Sequence, residues 1–193
     1  MARKGQKYSK EWLTIEERDK LFASPDIKAR DLLLMRTCYY GALRINEALI
    51  SRQEDYVREG EYAFLVLRSQ KTDKKNWEKQ PIPMHLYSEI KRYCEANDIK
   101  TQDYVFQSRQ RDHLSYQRAI QIVKKCAVKV KLNKNITTHT FRRSRLQHML
   151  DAGEDPYFAQ DFARHKSIDT TRNYLKISKI DIAEKMNQID KKI

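Results

Sequence analysis

The sequence predicts a mainly α domain with a small antiparallel β-sheet (α+β). Three observations carry that expectation. Apolar residues recur at helical spacing, bounded by capping residues, over most of the chain. Only one pair of neighbouring segments has strand composition, joined by a polar turn. With 40% apolar residues and only four Gly and four Pro, the composition is that of a chain that buries a core, with no low-complexity segment and no internal repeat.

Taken in order, residues 1–11 read as a basic tail and residues 12–193 as one domain. Thr14 stands where its hydroxyl can cap a helix and Glu17 can reach back to it, so a helix follows to about Ala23. "IKARDLLLMRTCYYGALRINEALIS" reads as a buried helix holding Tyr39 and Tyr40, a break at Gly41, and a second helix carrying Arg44 and Glu47. "YAFLVLRS" and "KNWEKQPIPM" form a hairpin around a lysine-rich turn, with Pro81 and Pro83 confining the second strand to an edge or ending it early. Leu86, Ile90 and Tyr93 share one helical face, and Tyr116, Ile120, Val123 and Ala127 another. Three helices follow Thr137: one closing on Gly153, one opening with Asp155 and Pro156, and one capped by Ser167. Ile177, Ile180, Ile182, Met186 and Ile189 give a last helix over about 179–190 an apolar face to bury.

The 39 Lys and Arg against 26 Asp and Glu leave a formal charge of +13, which points to a polyanionic partner, nucleic acid first. No apolar run approaches the ~18 residues of a membrane span, and the basic start has no apolar stretch behind it, so a cytoplasmic, DNA-associated protein is expected. Cys38, Cys94 and Cys126 are odd in number and widely spaced, which suits buried small apolar residues better than disulfides or a zinc site. His85, His113 and His148 read as structural.

His139 and Arg142 in "HTFRR" lie three apart near a helix start, where imidazole, guanidinium and free backbone N–H groups can meet one anion. Alone, the pair reads as a histidine that caps or packs and an arginine that is a solvated surface charge. Order along the chain adds to it. "GALRINEAL", a lysine in "SQKTDKK", "HTFRRSRLQHMLDAGED" and "ARHKSIDTTRNY" follow one another, and His165 precedes Tyr174 by nine residues. Over roughly residues 12–180 the chain thereby resembles the tyrosine recombinases, the integrase family, and the fold implied is their DNA breaking-rejoining catalytic domain.

The resemblance implies a site-specific recombinase that cuts and rejoins double-stranded DNA. Tyr174 would be the nucleophile and form a 3′-phosphotyrosyl link that stores the phosphodiester bond. Arg44 and Arg142 would clamp the phosphate, His165 donate a further bond, His139 assist removal of the tyrosine proton, and Lys71 protonate the leaving 5′ oxygen. Lys74 and Lys75 share the turn with Lys71 and remain alternatives. Glu47 would orient Arg44. No metal or other cofactor is expected, because arginines, histidines and a lysine supply the positive charge. Arg143 stands where the family often has a second histidine, and Arg164 where a glycine is usual. Both, with Lys124, Lys125, Lys74 and Lys75, are candidate DNA contacts. The expected assembly is a homotetramer on DNA, with no membrane and no small-molecule substrate. The helical core-binding domain that usually precedes the catalytic one is absent from this stretch of sequence. A type IB topoisomerase and a non-catalytic DNA-binding accessory module are the rival readings.

Overall fold

Thr14 accepts a hydrogen bond from the Glu17 N–H at 3.2 Å and its own N–H donates to the Glu17 carboxylate at 2.8 Å. That reciprocal cap starts helix α1 (Ile15–Phe22). The structure is a computed structural model that describes residues 12–68, 77–109 and 112–164. The chain forms two compact units, Met1–His148 and Met149–Ile193.

In the first unit α2 (Ala29–Tyr40) is the central helix, burying Leu33, Leu34, Met35, Cys38 and Tyr39. Each such side chain removed from water contributes about 1.5–3 kcal/mol. α3 (Ile45–Leu49) follows, and Arg44 sits at its N-cap rather than inside it. A short 3₁₀ turn (Gln53–Asp55) leads into β1 (Tyr56–Glu59), a strand the sequence did not announce. β1 pairs antiparallel with β2 (Tyr62–Leu67), which pairs antiparallel with β3 (Glu78–Ile82), giving the order β1-β2-β3. Pro81 lies on β3, an edge strand, the place in a sheet where proline is tolerated.

Two more helices complete the apolar core. α4 (Met84–Ala96) buries Leu86, Ile90 and Cys94 as its periodicity requires. α5 (Tyr116–Lys129) buries Ala119, Ile122, Val123, Cys126 and Ala127, so its inward stripe is rotated from the one expected. Tyr116, one residue past the capping Ser115, is exposed, because a first-turn side chain overhangs the helix end. All three cysteines are free and buried, and burial pushes the Cys94 and Cys126 thiols up to about 11.

Helix α6 (Thr138–Asp151) is tied down by Phe141 and Leu146, both fully buried, and by Ser144, whose hydroxyl accepts the Leu13 N–H at 2.9 Å. His148 is structural, as expected. Its Nε2–H donates to the Leu13 carbonyl at 2.8 Å, Nδ1 lies 2.7 Å from the Tyr39 hydroxyl, and that hydroxyl accepts from Arg18 at 2.9 Å. In the second unit, Gly153 (φ 89) stops the preceding helix and Asp155 caps α7 (Pro156–Ala163), accepting the Tyr157 N–H at 2.7 Å. No described helix is long and apolar enough to cross a membrane.

Candidate active site

The site is built on the stop at the end of α2. Leu43 N–H donates to the Cys38 carbonyl at 3.0 Å and Ala42 N–H to the Tyr39 carbonyl at 3.1 Å, the paired bonds of a left-handed helix stop. The residue in the left-handed region is Ala42, at φ 45. Gly41, expected to make the break, has an ordinary φ of −89 and is needed for space: a Cβ there would lie 3.0 Å from the Leu43 Cγ and 3.2 Å from the Thr37 carbonyl. The turn aims the Ala42 carbonyl at α6, where the Arg142 Nη1 donates to it at 2.6 Å. Arg142 is 5% exposed, a cation placed by packing and by a main-chain oxygen.

Two residues beyond Ala42, the Arg44 N–H donates to Glu47 Oε2 at 2.8 Å, and its Nη1 to Glu47 Oε1 at 3.0 Å. One carboxylate thus caps α3 and holds the guanidinium, whose side chain remains 51% exposed. Glu47 thus contacts both the main chain and the side chain of Arg44.

At the start of α6 the Thr137 N–H donates to the Thr140 hydroxyl at 3.0 Å, a cap made by threonine rather than glutamate. His139 therefore sits in the first turn, at the protein surface. Its pKa is held below the ordinary 6.5, first by partial desolvation and then by the charges of Arg143, Arg142 and Arg44. The fold thus brings Arg44, His139, Arg142 and Arg143 within electrostatic reach of one another, with a neutral imidazole favoured among three guanidiniums. Such a cluster can take up an anion and accept a proton beside it.

Lys71, Lys74, Lys75, His165 and Tyr174 lie outside the described residues. Arg164 ends α7 in the left-handed region (φ 55, ψ 45), the conformation that favours glycine at this place. Lys124 and Lys125 are exposed on α5, off its buried stripe. Sequence reading missed a basic cleft of about 850 Å³ at the opposite end of α2, lined by Lys28, Arg30, Arg109 and Arg118. These four are scattered along the chain, and only the net charge hinted at them.

The α+β domain thus presents a guanidinium–imidazole cluster from two helix ends, with the charge to meet an anion. The chain belongs to the phage integrase family, whose model matches residues 11–180. It is 32% identical over 169 residues to the tyrosine recombinase XerA of Pyrococcus horikoshii, a match covering 86% of this chain and 56% of that protein. To the tyrosine recombinase XerD of Staphylococcus haemolyticus it is 26% identical over 189 residues, 91% of this chain and 61% of the relative. The chain therefore spans less than two thirds of the length of these relatives. Among solved structures, the XerA recombinase superposes with a TM-score of 0.74 at 22% identity, covering 92% of this chain and 64% of that one. The Tn1549 transposon integrase in complex with circular intermediate DNA gives 0.76 at 16%, covering 93% and 67%. These likenesses establish the fold.

Proposed function

We propose that this chain is the strand-cleaving part of a site-specific DNA recombinase. The observation that carries the reading is the cluster of Arg44, His139 and Arg142, together with membership in the integrase family. Arg44 and Arg142 hold the scissile phosphate by its non-bridging oxygens, and His165 adds a donor. The Tyr174 oxygen attacks phosphorus while its proton passes to His139, which partial burial and then the surrounding guanidiniums hold toward the neutral form. The bond from phosphorus to the 5′ oxygen breaks, and a lysine of the 69–76 segment, Lys71 by resemblance, gives that oxygen its proton. The reverse reaction with a 5′ hydroxyl from a second duplex exchanges strands.

Double-stranded DNA is the partner, held further by Arg143, Arg164, Lys124, Lys125 and the basic cleft. The working assembly is a homotetramer, linked through residues 179–193, acting on DNA in the cytoplasm. The test is a covalent-adduct assay. Duplexes of random sequence are incubated with the protein, protein-linked DNA is recovered and sequenced, and the enriched site is rebuilt as a nicked suicide substrate. The protein should accumulate on the 3′ side of the break, through the peptide containing Tyr174, and Tyr174→Phe should give no adduct while still binding. An adduct on another tyrosine, or none with the unmodified protein, overturns the reading.

A further inference from the structure

Two of the three guanidiniums around His139 are placed by contacts that cross the fold. Arg142 is buried and donates to the Ala42 carbonyl at 2.6 Å, and Arg44 is held at 3.0 Å by the Glu47 carboxylate, which partly offsets its charge. Arg143 is placed by helix geometry instead. It stands four residues beyond His139 on α6, one turn along the same face, half-buried next to an exposed imidazole.

The charges near His139 come from two elements. Helix α6 brings Arg142 and Arg143, and the start of α3 brings Arg44 with Glu47. In the free chain three positive charges thus face one negative charge, and a phosphodiester gripped by Arg44 and Arg142 adds a second negative charge. Partial desolvation favours the neutral ring more than any one of these charges does, but an arriving anion works against it. With Arg143 the loaded cluster keeps a net positive charge that repels a proton from the ring. Without it the charges of the described residues and the phosphate cancel, and a protonated imidazole cannot act as a base.

We propose that Arg143 keeps His139 able to accept a proton once the phosphate is in place, and thereby sets the lower pH limit of cleavage, an inference that rests on the strand-cleaving reading above. Arg143 does this through the imidazole, not through the reacting atoms. Whatever backbone phosphate it also meets, its distance from His139 is fixed by the helix.

A series of variants at position 143, read in two ways, separates this role from a merely structural one. Proton NMR follows the His139 ring signals of the free chain against pH and shows that each variant is folded. Single-turnover cleavage of the nicked substrate at saturating protein follows the acid limb of the rate profile relative to its plateau. Arg143→Gln should raise the His139 midpoint and the acid limb together by about 0.2–0.4 of a pH unit, the effect of one like charge a turn away, so that relative cleavage on that limb falls roughly 1.5- to 2.5-fold. Arg143→Glu should move both about twice as far. Arg143→Lys keeps the charge and should leave the midpoint and the limb in place. A structural role would lower the plateau without moving the limb. An acid limb that ignores the charge at position 143, or that shifts as far with lysine as with glutamine, overturns the inference and leaves strand cleavage intact. Absence of cleavage by the unmodified protein removes the strand-cleaving reading, and the inference with it.

Discussion

Replacing Glu47 by alanine tests how the clamp is held. The change removes the two bonds its carboxylate makes to Arg44, at 2.8 Å to the N–H and 3.0 Å to the guanidinium. The first is a helix cap and contributes about 1 kcal/mol. The second involves a side chain 51% exposed, where screening limits an ion pair to less than about 1 kcal/mol. Together they set a loss of about 1–2 kcal/mol, and for a chain of this size a fall in Tm of roughly 2–8 °C. Catalysis suffers separately. A freed Arg44 must be ordered on each phosphate it binds, costing about 0.5–1.5 kcal/mol, which lowers kcat/KM by roughly 2- to 13-fold. Glu47→Gln keeps an acceptor for the N–H and should lose less stability than alanine. The measurements are a thermal melt and single-turnover cleavage of the nicked substrate. Cleavage by Glu47→Ala as fast as normal, or faster because a negative charge has left the neighbourhood of the phosphate, would refute the orienting role.

Arg142→Ala should lower cleavage by ~10²-fold or more, and Arg142→Lys should rescue poorly, since an ammonium cannot reproduce the fork; undiminished cleavage would place the clamp elsewhere. His139 should titrate below 6.5 in proton NMR of the free chain and move upward when duplex DNA brings a phosphate beside it. Because the unfolded chain binds that proton more readily, the stability linked to His139 is complete above pH 6.5 and is lost as pH falls below it, a slope that His139→Gln should remove from a series of denaturant melts. Lys131, exposed and at φ 53 past the end of α5, should give a more stable protein as glycine, by about 0.5–1 kcal/mol, seen as a Tm higher by roughly 1–4 °C.

Much of the fold was legible because local signals agreed with it. The Thr14–Glu17 cap, the stripe of Leu86 and Ile90, the proline-limited edge strand and the Asp155–Pro156 start all formed where sequence placed them. The misses have physical causes. β1 is four residues, too short for alternation to register, and draws its stability from pairing with β2. The stop of α2 was assigned to Gly41 because glycine is the usual left-handed residue, yet this chain also places Ala42, Asp98 and Lys131 in that region. For the site, Arg44, Glu47, His139 and Arg142 could be named from motif order, but the hold on Arg142 could not. Its acceptor is a backbone oxygen a hundred residues away, which leaves no mark on side-chain identity. The surroundings of Arg68, 2.7 Å by its Nε from Asp55 Oδ1 and 5.0 Å by its Cζ from the Trp77 ring centroid, were hidden likewise, because Asp55 and Trp77 become its neighbours only in the folded chain.

Fastening Arg142 to the Ala42 carbonyl also says something about how this site can drift over generations. Every amino acid brings the same carbonyl, so no single exchange at position 42 deletes the acceptor. What the arrangement cannot absorb is a change in the number of residues between Tyr40 and Arg44, which would rotate that oxygen away from the buried Arg142 guanidinium. Side chains at position 42 that tolerate its left-handed backbone keep the bond, whereas insertions or deletions displace its acceptor. A library that varies the length of this turn should yield far fewer active clones than one that varies its letters.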